Sequence, residues 1–166
     1  VSEAEEYAPR GVTFGKPSFD LNALRNWKES VLDRLAGGVT GLAAKRGVQV
    51  IHGRGYFEDS ATLRVETEDG QQFITFQNAI IAVGSKPTLP APFDLGNKRI
   101  MTSNEALDLE EIPGSLLIIG GGYIGMELGT VYATFGSKVV VAEALPAILG
   151  TADQDLVRPV LRRAEK

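Results

Sequence analysis

The chain has 166 residues, 43% hydrophobic and 23% charged, with a net charge of -4 and no cysteine. These proportions fit a soluble globular protein of one domain or two small ones. The acidic balance speaks against nucleic acid and anionic membrane as partners, and without cysteine these residues hold no disulfide, thiolate nucleophile or redox dithiol. The single histidine, His52, excludes a multi-histidine metal site. No apolar stretch is long enough to cross a bilayer, and the acidic beginning lacks a signal-peptide core, so a cytoplasmic protein is expected. The first residue is Val, and the last residues stop in a helical pattern with no C-cap glycine. Both features are expected of a segment of a longer protein.

Residues 1–16 read as surface loop. A helix is predicted to start near Ser18 or Asp20, either of which can cap free N–H groups. Leu21, Leu24, Val31, Leu32 and Leu35 recur at helical spacing, and Trp27 near the same face reads as core. Gly37 and Gly38 weaken the pattern, which resumes to about Arg46 and ends at Gly47. Val48, Val50 and Ile51 predict a strand, with His52 as a structural residue within it. Thr62–Thr67 and Gln71–Phe76 alternate around the turn Glu68-Asp69-Gly70, which predicts an antiparallel hairpin with one wet face. Ile80–Val83 is a continuous apolar run, as in a buried parallel strand, closed by Gly84 and Ser85. Lys86–Gly96 contains three prolines and reads as an extended linker. A short helix is predicted over Asn104–Leu109 with Thr102 or Ser103 as its cap. After Glu143, Pro146 opens a loop, and a last helix is predicted from about Asp153.

Between these lies the most informative stretch, residues 115–143. The apolar run Leu116–Ile119 leads into Gly120-Gly121-Gly122-Tyr123-Ile124-Gly125, then a helical pattern, then a second apolar run, Val139–Ala142, closed by Glu143. A lone G-x-G-x-x-G is weak evidence; between a strand and a helix, with an acid ending the next strand, it is strong. Gly120 permits the tight turn, Gly122 lets a diphosphate approach the backbone, and Gly125 lets the helix lie close to the strand. The helix N-terminus offers free N–H groups and a partial positive charge to the phosphates. Glu143 stands about 20 residues on, where the ribose 2′-hydroxyl is expected. A carboxylate there accepts from the ribose hydroxyls and repels a 2′-phosphate, so NAD is expected over NADP. The plain alternative is a surface Glu at a strand end, with glycines serving only packing.

Asn78–Pro87, with the glycine fingerprint after it, resembles the FAD-dependent pyridine-nucleotide disulfide oxidoreductases. Asn26–Leu42 and Val48–Phe57 resemble the dihydrolipoamide-oxidising branch in particular. The resemblance covers about Gly11 to the end. It implies an α/β, Rossmann-like FAD/NAD-binding fold, a parallel sheet with an antiparallel β-meander, present here as partial domains. On that pattern residues 1–90 are the latter part of an FAD-binding domain, 91–114 a linker with a short helix, and 115–166 the opening of an NAD-binding domain. In such a segment Ile80–Val83 would lack its sheet neighbours.

The resemblance also implies roles for matching positions. Gly55 would meet the adenine end of FAD through its backbone; as a residue it is equally a bulge or turn glycine. Val83, Gly84 and Ser85 match a loop passing near FAD, although the family usually has Thr or Ala where Val83 stands. Gly120, Gly121, Gly122, Tyr123, Ile124 and Gly125 match the NAD phosphate turn. Tyr123 matches a position that can cover the nicotinamide pocket, though an exposed aromatic at the start of a helix reads equally well. Glu127 favours the helix dipole by itself; the family adds an ion pair with a Lys beside the flavin. The implied reaction passes two electrons from dihydrolipoamide through a redox disulfide and FAD to NAD. No catalytic residue and no metal ligand is expected in this chain. A homodimer and a lipoyl domain of an acyltransferase are the implied partners. Glutathione, mercuric or transhydrogenase relatives, or a non-catalytic nucleotide-binding segment, are the alternatives.

Overall fold

The structure, a computed structural model, describes residue 4 and residues 6–165. These pack as two compact units, one of Val1–Lys28 with Pro87–Lys166 and the other of Glu29–Lys86. Helix α1, Leu21–Lys45, runs through the boundary. Asp20 starts it by accepting from the Ala23 N–H at 3.0 Å. Gly37 and Gly38 do not break it, because in a long helix two glycine penalties of about 1 kcal/mol each are outweighed by cooperative propagation through good helix formers. It stops at Gly47, whose φ of 65° suits glycine.

Glu29–Lys86 contains a three-stranded antiparallel meander. Its strands are β1 (Arg54–Phe57), β2 (Thr62–Thr67) and β3 (Gly70–Thr75), in the order β1-β2-β3. Gly55 faces Val65 and Thr67 faces Gly70 across the ladders. Val65 is the buried centre, and Phe57 meets Phe76 edge to face at 5.9 Å. On the exposed side Arg64 pairs with Glu58 and Glu66 and lies over the Tyr56 ring.

Three expectations are corrected, two in this unit and one, Trp27, on the part of α1 that precedes it. Val48–Ile51 is not a strand: β1 begins only at Arg54, opposite Glu66, β2 turns after Thr67, and among the described residues no ladder includes the earlier residues. His52 accordingly lies in an exposed irregular segment. Ile80–Val83 is neither a strand nor buried; Ile80 is 93% and Val83 88% exposed. A buried parallel strand needs ladders on its flanks, and among the described residues none is assigned to it. The core reading of Trp27 fails in the same way: it is 65% exposed, and no residue of α1 is fully buried.

In the other unit the short helix α2, Ser103–Asp108, starts at Thr102. The Thr102 hydroxyl accepts from the Asn104 N–H at 3.3 Å, and Glu105 reaches back to the Thr102 N–H at 2.7 Å. Its far end is tied to α1: Arg25 donates to the Leu109 carbonyl at 2.7 Å and Lys28 to that of Leu107 at 3.0 Å. The βαβ element follows: β4 (Ser115–Ile119), α3 (Tyr123–Thr134) and β5 (Lys138–Ala142), with β4 and β5 parallel in the register Ser115–Lys138 to Ile119–Ala142. The last helix, α4, spans Gln154–Ala164, with Asp153 before it.

Tyr132 on α3 is the largest fully buried side chain, and its hydroxyl donates to the Ala106 carbonyl on α2 at 2.9 Å. Ser137, buried between α3 and β5, donates to the Pro113 carbonyl at 2.6 Å just before β4. Each buried hydroxyl is thereby satisfied. Phe135 at the end of α3 meets Phe19 edge to face at 4.9 Å.

Candidate functional site

The first parallel ladder extends one residue past β4, where the Gly120 N–H donates to the Ala142 carbonyl at 2.8 Å. The chain must then leave the strand and enter α3 within three residues. Gly120 makes that turn with a φ of 104°, a backbone region that side chains rarely adopt. Gly122 is the extended residue before the helix and supplies no capping side chain. The first helical bond runs from the Met126 N–H to the Gly122 carbonyl. The amides of Tyr123, Ile124 and Gly125 therefore have no helical acceptor and form the open helix mouth.

The space around the glycines differs from one to the next. A Cβ on Gly122 would meet nothing within 4 Å, so the mouth is open there. A Cβ on Gly125 would lie 2.3 Å from the Gly120 carbonyl oxygen and 3.1 Å from Ile118 Cγ2. One on Gly129 would lie 2.9 Å from Ile118 Cδ1. The helix thus rests on β4 through two glycines one turn apart. Gly129 was not singled out from the sequence, but its spacing of four from Gly125 puts it on the same helix face.

Glu143 turns toward the mouth. One carboxylate oxygen accepts from the Gly121 N–H at 2.7 Å and the other from the Leu145 N–H at 2.8 Å. Those two donors, Leu145 foremost, hold its pKa below the ordinary glutamate value. Glycine fingerprint and acid are thus brought together. Tyr123 occupies the first helical position, 69% exposed, and Glu127 lies exposed one turn on. At the helix mouth, backbone donors and a carboxylate acceptor stand side by side: one can hold anionic phosphate, the other a sugar hydroxyl.

The positions matched to a flavin are arranged differently. Gly55 lies within β1, directly opposite Val65, where a Cβ would make an ordinary 3.4 Å contact with Leu63. Gly53 is the glycine that packing demands, because a Cβ there would lie 2.4 Å from the Glu66 carbonyl oxygen. Val83, Gly84 and Ser85 lie in an exposed irregular stretch, with Gly84 at a φ of 69°. Among the described residues no group of acidic and histidine side chains could hold a metal, and no helix is long and apolar enough to cross a membrane.

Known proteins match this arrangement over almost its whole length. The chain is 42% identical over 164 residues to the dihydrolipoyl dehydrogenase of Vibrio cholerae, covering 98% of this chain and 34% of that protein. It is 41% identical over 164 residues to the dihydrolipoyl dehydrogenase of Geobacillus stearothermophilus, covering 99% of this chain and 35% of that one. The chain therefore spans about a third of the length of these curated relatives. Among solved structures, a cysteine-to-serine variant of the HOCl-induced flavoprotein disulfide reductase RclA from Escherichia coli, as its Cu(II) complex, superposes with a TM-score of 0.74. It is 28% identical, and the match covers 99% of this chain and 35% of that one. The family described as pyridine nucleotide-disulphide oxidoreductase matches over residues 2–166, and by that match the chain belongs to it.

Proposed function

We propose that residues 115–166 open the NAD-binding domain of a flavoprotein that oxidises dihydrolipoamide with NAD, and that residues 1–90 belong to its FAD-binding domain, with 91–114 joining the two. The observation that carries the nucleotide reading is the Glu143 carboxylate, held beside the open mouth of α3 by the Gly121 N–H. Gly120–Gly125 present the backbone to the diphosphate and Glu143 accepts from the adenosine ribose; Tyr123 is assigned to the nicotinamide pocket on the family pattern alone. The dihydrolipoyl dehydrogenase relatives support the choice of substrate and of NAD.

The overall reaction takes two hydrogens from the dithiol of dihydrolipoamide, leaving a cyclic disulfide, and yields NADH and a proton from NAD. FAD and a redox disulfide, when present, supply the electron-transfer chemistry. These residues contain no cysteine, so their share is to bind and orient the nucleotide. Gly55, Val83, Gly84 and Ser85 are assigned to the FAD side and Glu127 to the flavin-facing side of α3, on the family pattern alone. A homodimer, docking to the lipoyl domain of an acyltransferase, and a cytoplasmic location belong to the same proposal.

Titration of NADH and NADPH against the full-length protein tests it. NADH should bind more tightly by about tenfold or more, because a 2′-phosphate would meet the Glu143 charge. Glu143→Arg should reverse that order. Equal affinities, or an order unmoved by the substitution, would overturn the reading.

A further inference from the structure

The loop that follows Glu143 folds back onto the glycine turn. Gly121 is buried and is held from three directions. Its N–H donates to Glu143 at 2.7 Å, its carbonyl accepts from the Leu149 N–H at 2.8 Å, and Ile148 lies over its Cα. A Cβ on Gly121 would sit 2.7 Å from Ile148 Cγ2 and 3.3 Å from Glu143 Cβ. Leu149 adopts a φ of 51°, uncommon outside glycine. Its backbone is used on both sides, since its carbonyl also accepts from the Ala152 N–H at 2.8 Å.

The consequence follows from peptide geometry. The Gly121 carbonyl and the Gly122 N–H belong to one planar trans peptide, in which they point in opposite directions. A donor that fixes the carbonyl toward the loop fixes the Gly122 N–H away from it. Gly122 is the residue with open space around it, at the helix mouth. We infer that Ile148 and Leu149 are positioning residues for the dinucleotide: by gripping Gly121 they aim the Gly122 amide at the diphosphate. The inference rests on the NAD reading above. It gives the middle glycine of the triplet, which the G-x-G-x-x-G spacing leaves free, a steric reason to be glycine.

A double-mutant cycle on the full chain tests it, read by NADH titration and by the Gly122 amide cross-peak in a ¹H–¹⁵N spectrum. Gly121→Ala should push Ile148 aside, move the Gly122 cross-peak and weaken NADH binding by about tenfold. Adding Ile148→Ala makes room for the new methyl and should bring both the cross-peak and the affinity back to within about threefold of wild type. Loss that persists unchanged in the double variant would overturn the inference, because the methyl would then be acting on the ligand directly. If Gly121→Ala does not fold, Ile148→Ala alone decides: an unmoved Gly122 cross-peak with unchanged affinity overturns the inference, and a shifted peak with weaker binding supports it. Absence of NADH binding by the full-length wild-type protein would instead defeat the NAD reading, a result visible before any variant is made.

Discussion

Alanine at Gly122 and at Gly125 separates the two jobs that glycine does in this turn. At Gly125 the new Cβ would stand 2.3 Å from the Gly120 carbonyl oxygen, a backbone atom that cannot swing away. An ordinary carbon–oxygen contact is about 3.3 Å, so helix and turn must part by roughly 1 Å. Overpacking of this kind costs up to about 3 kcal/mol, and alanine in a helix returns about 1 kcal/mol over glycine. The net loss is about 2 kcal/mol, or a Tm lower by about 4–8 °C for a chain of this size. At Gly122 a Cβ would meet no atom within 4 Å and φ is -74°, so the fold has little to lose. Alanine is a poorer N-cap than glycine, which costs about 0.5 kcal/mol. The methyl would, however, occupy the space assigned to the diphosphate, and NADH affinity should fall by about tenfold or more. Calorimetric melting and NADH titration of both variants check this. A Gly122→Ala chain that binds NADH as wild type does would refute the phosphate cradle, and an unchanged Tm for Gly125→Ala would refute the packing argument.

Three further outcomes are expected, two at Tyr132 and one at Glu143. Tyr132→Phe removes the hydroxyl bonded to the Ala106 carbonyl and should cost about 1–2 kcal/mol in urea unfolding, with no loss meaning that the bond is not worth its desolvation. Burial, with the Glu111 charge second, raises the Tyr132 phenol above its ordinary 10.0. Wild-type stability should therefore hold below pH 10 and fall as pH climbs through the raised value, a fall the Phe variant should lack. The depressed Glu143 works in the opposite sense. Its contribution is present above the ordinary value of 4.5 and is lost as pH drops through the lower folded value. Glu143→Gln should flatten that acid limb in unfolding curves taken across pH 3–6; a limb of undiminished slope would place the acid sensitivity elsewhere.

Whatever depends on a few neighbouring residues was readable from the chain alone. Asp20, Thr102 and Asp153 each stand immediately before a helix. Glycine with positive φ ends α1 and turns β4 into α3, and the fingerprint with its acid closes as spacing requires. These signals are local hydrogen bonds and local sterics, which a residue carries with it. What depends on a partner far along the chain was not. Ile80–Val83 and Val48–Ile51 are apolar enough for strands, yet pairing requires another backbone alongside, and apolarity does not supply one. Trp27 has the right helical phase for a core, yet it stays 65% exposed. In the other direction, Gly53, Gly129 and Gly121 owe their lack of a side chain to Glu66, Ile118 and Ile148, residues 11 to 27 positions away. Whether a Cβ has room is a property of assembled space, and only the fold could reveal that Ile148 and Leu149 reach back to hold the turn Glu143 already grips.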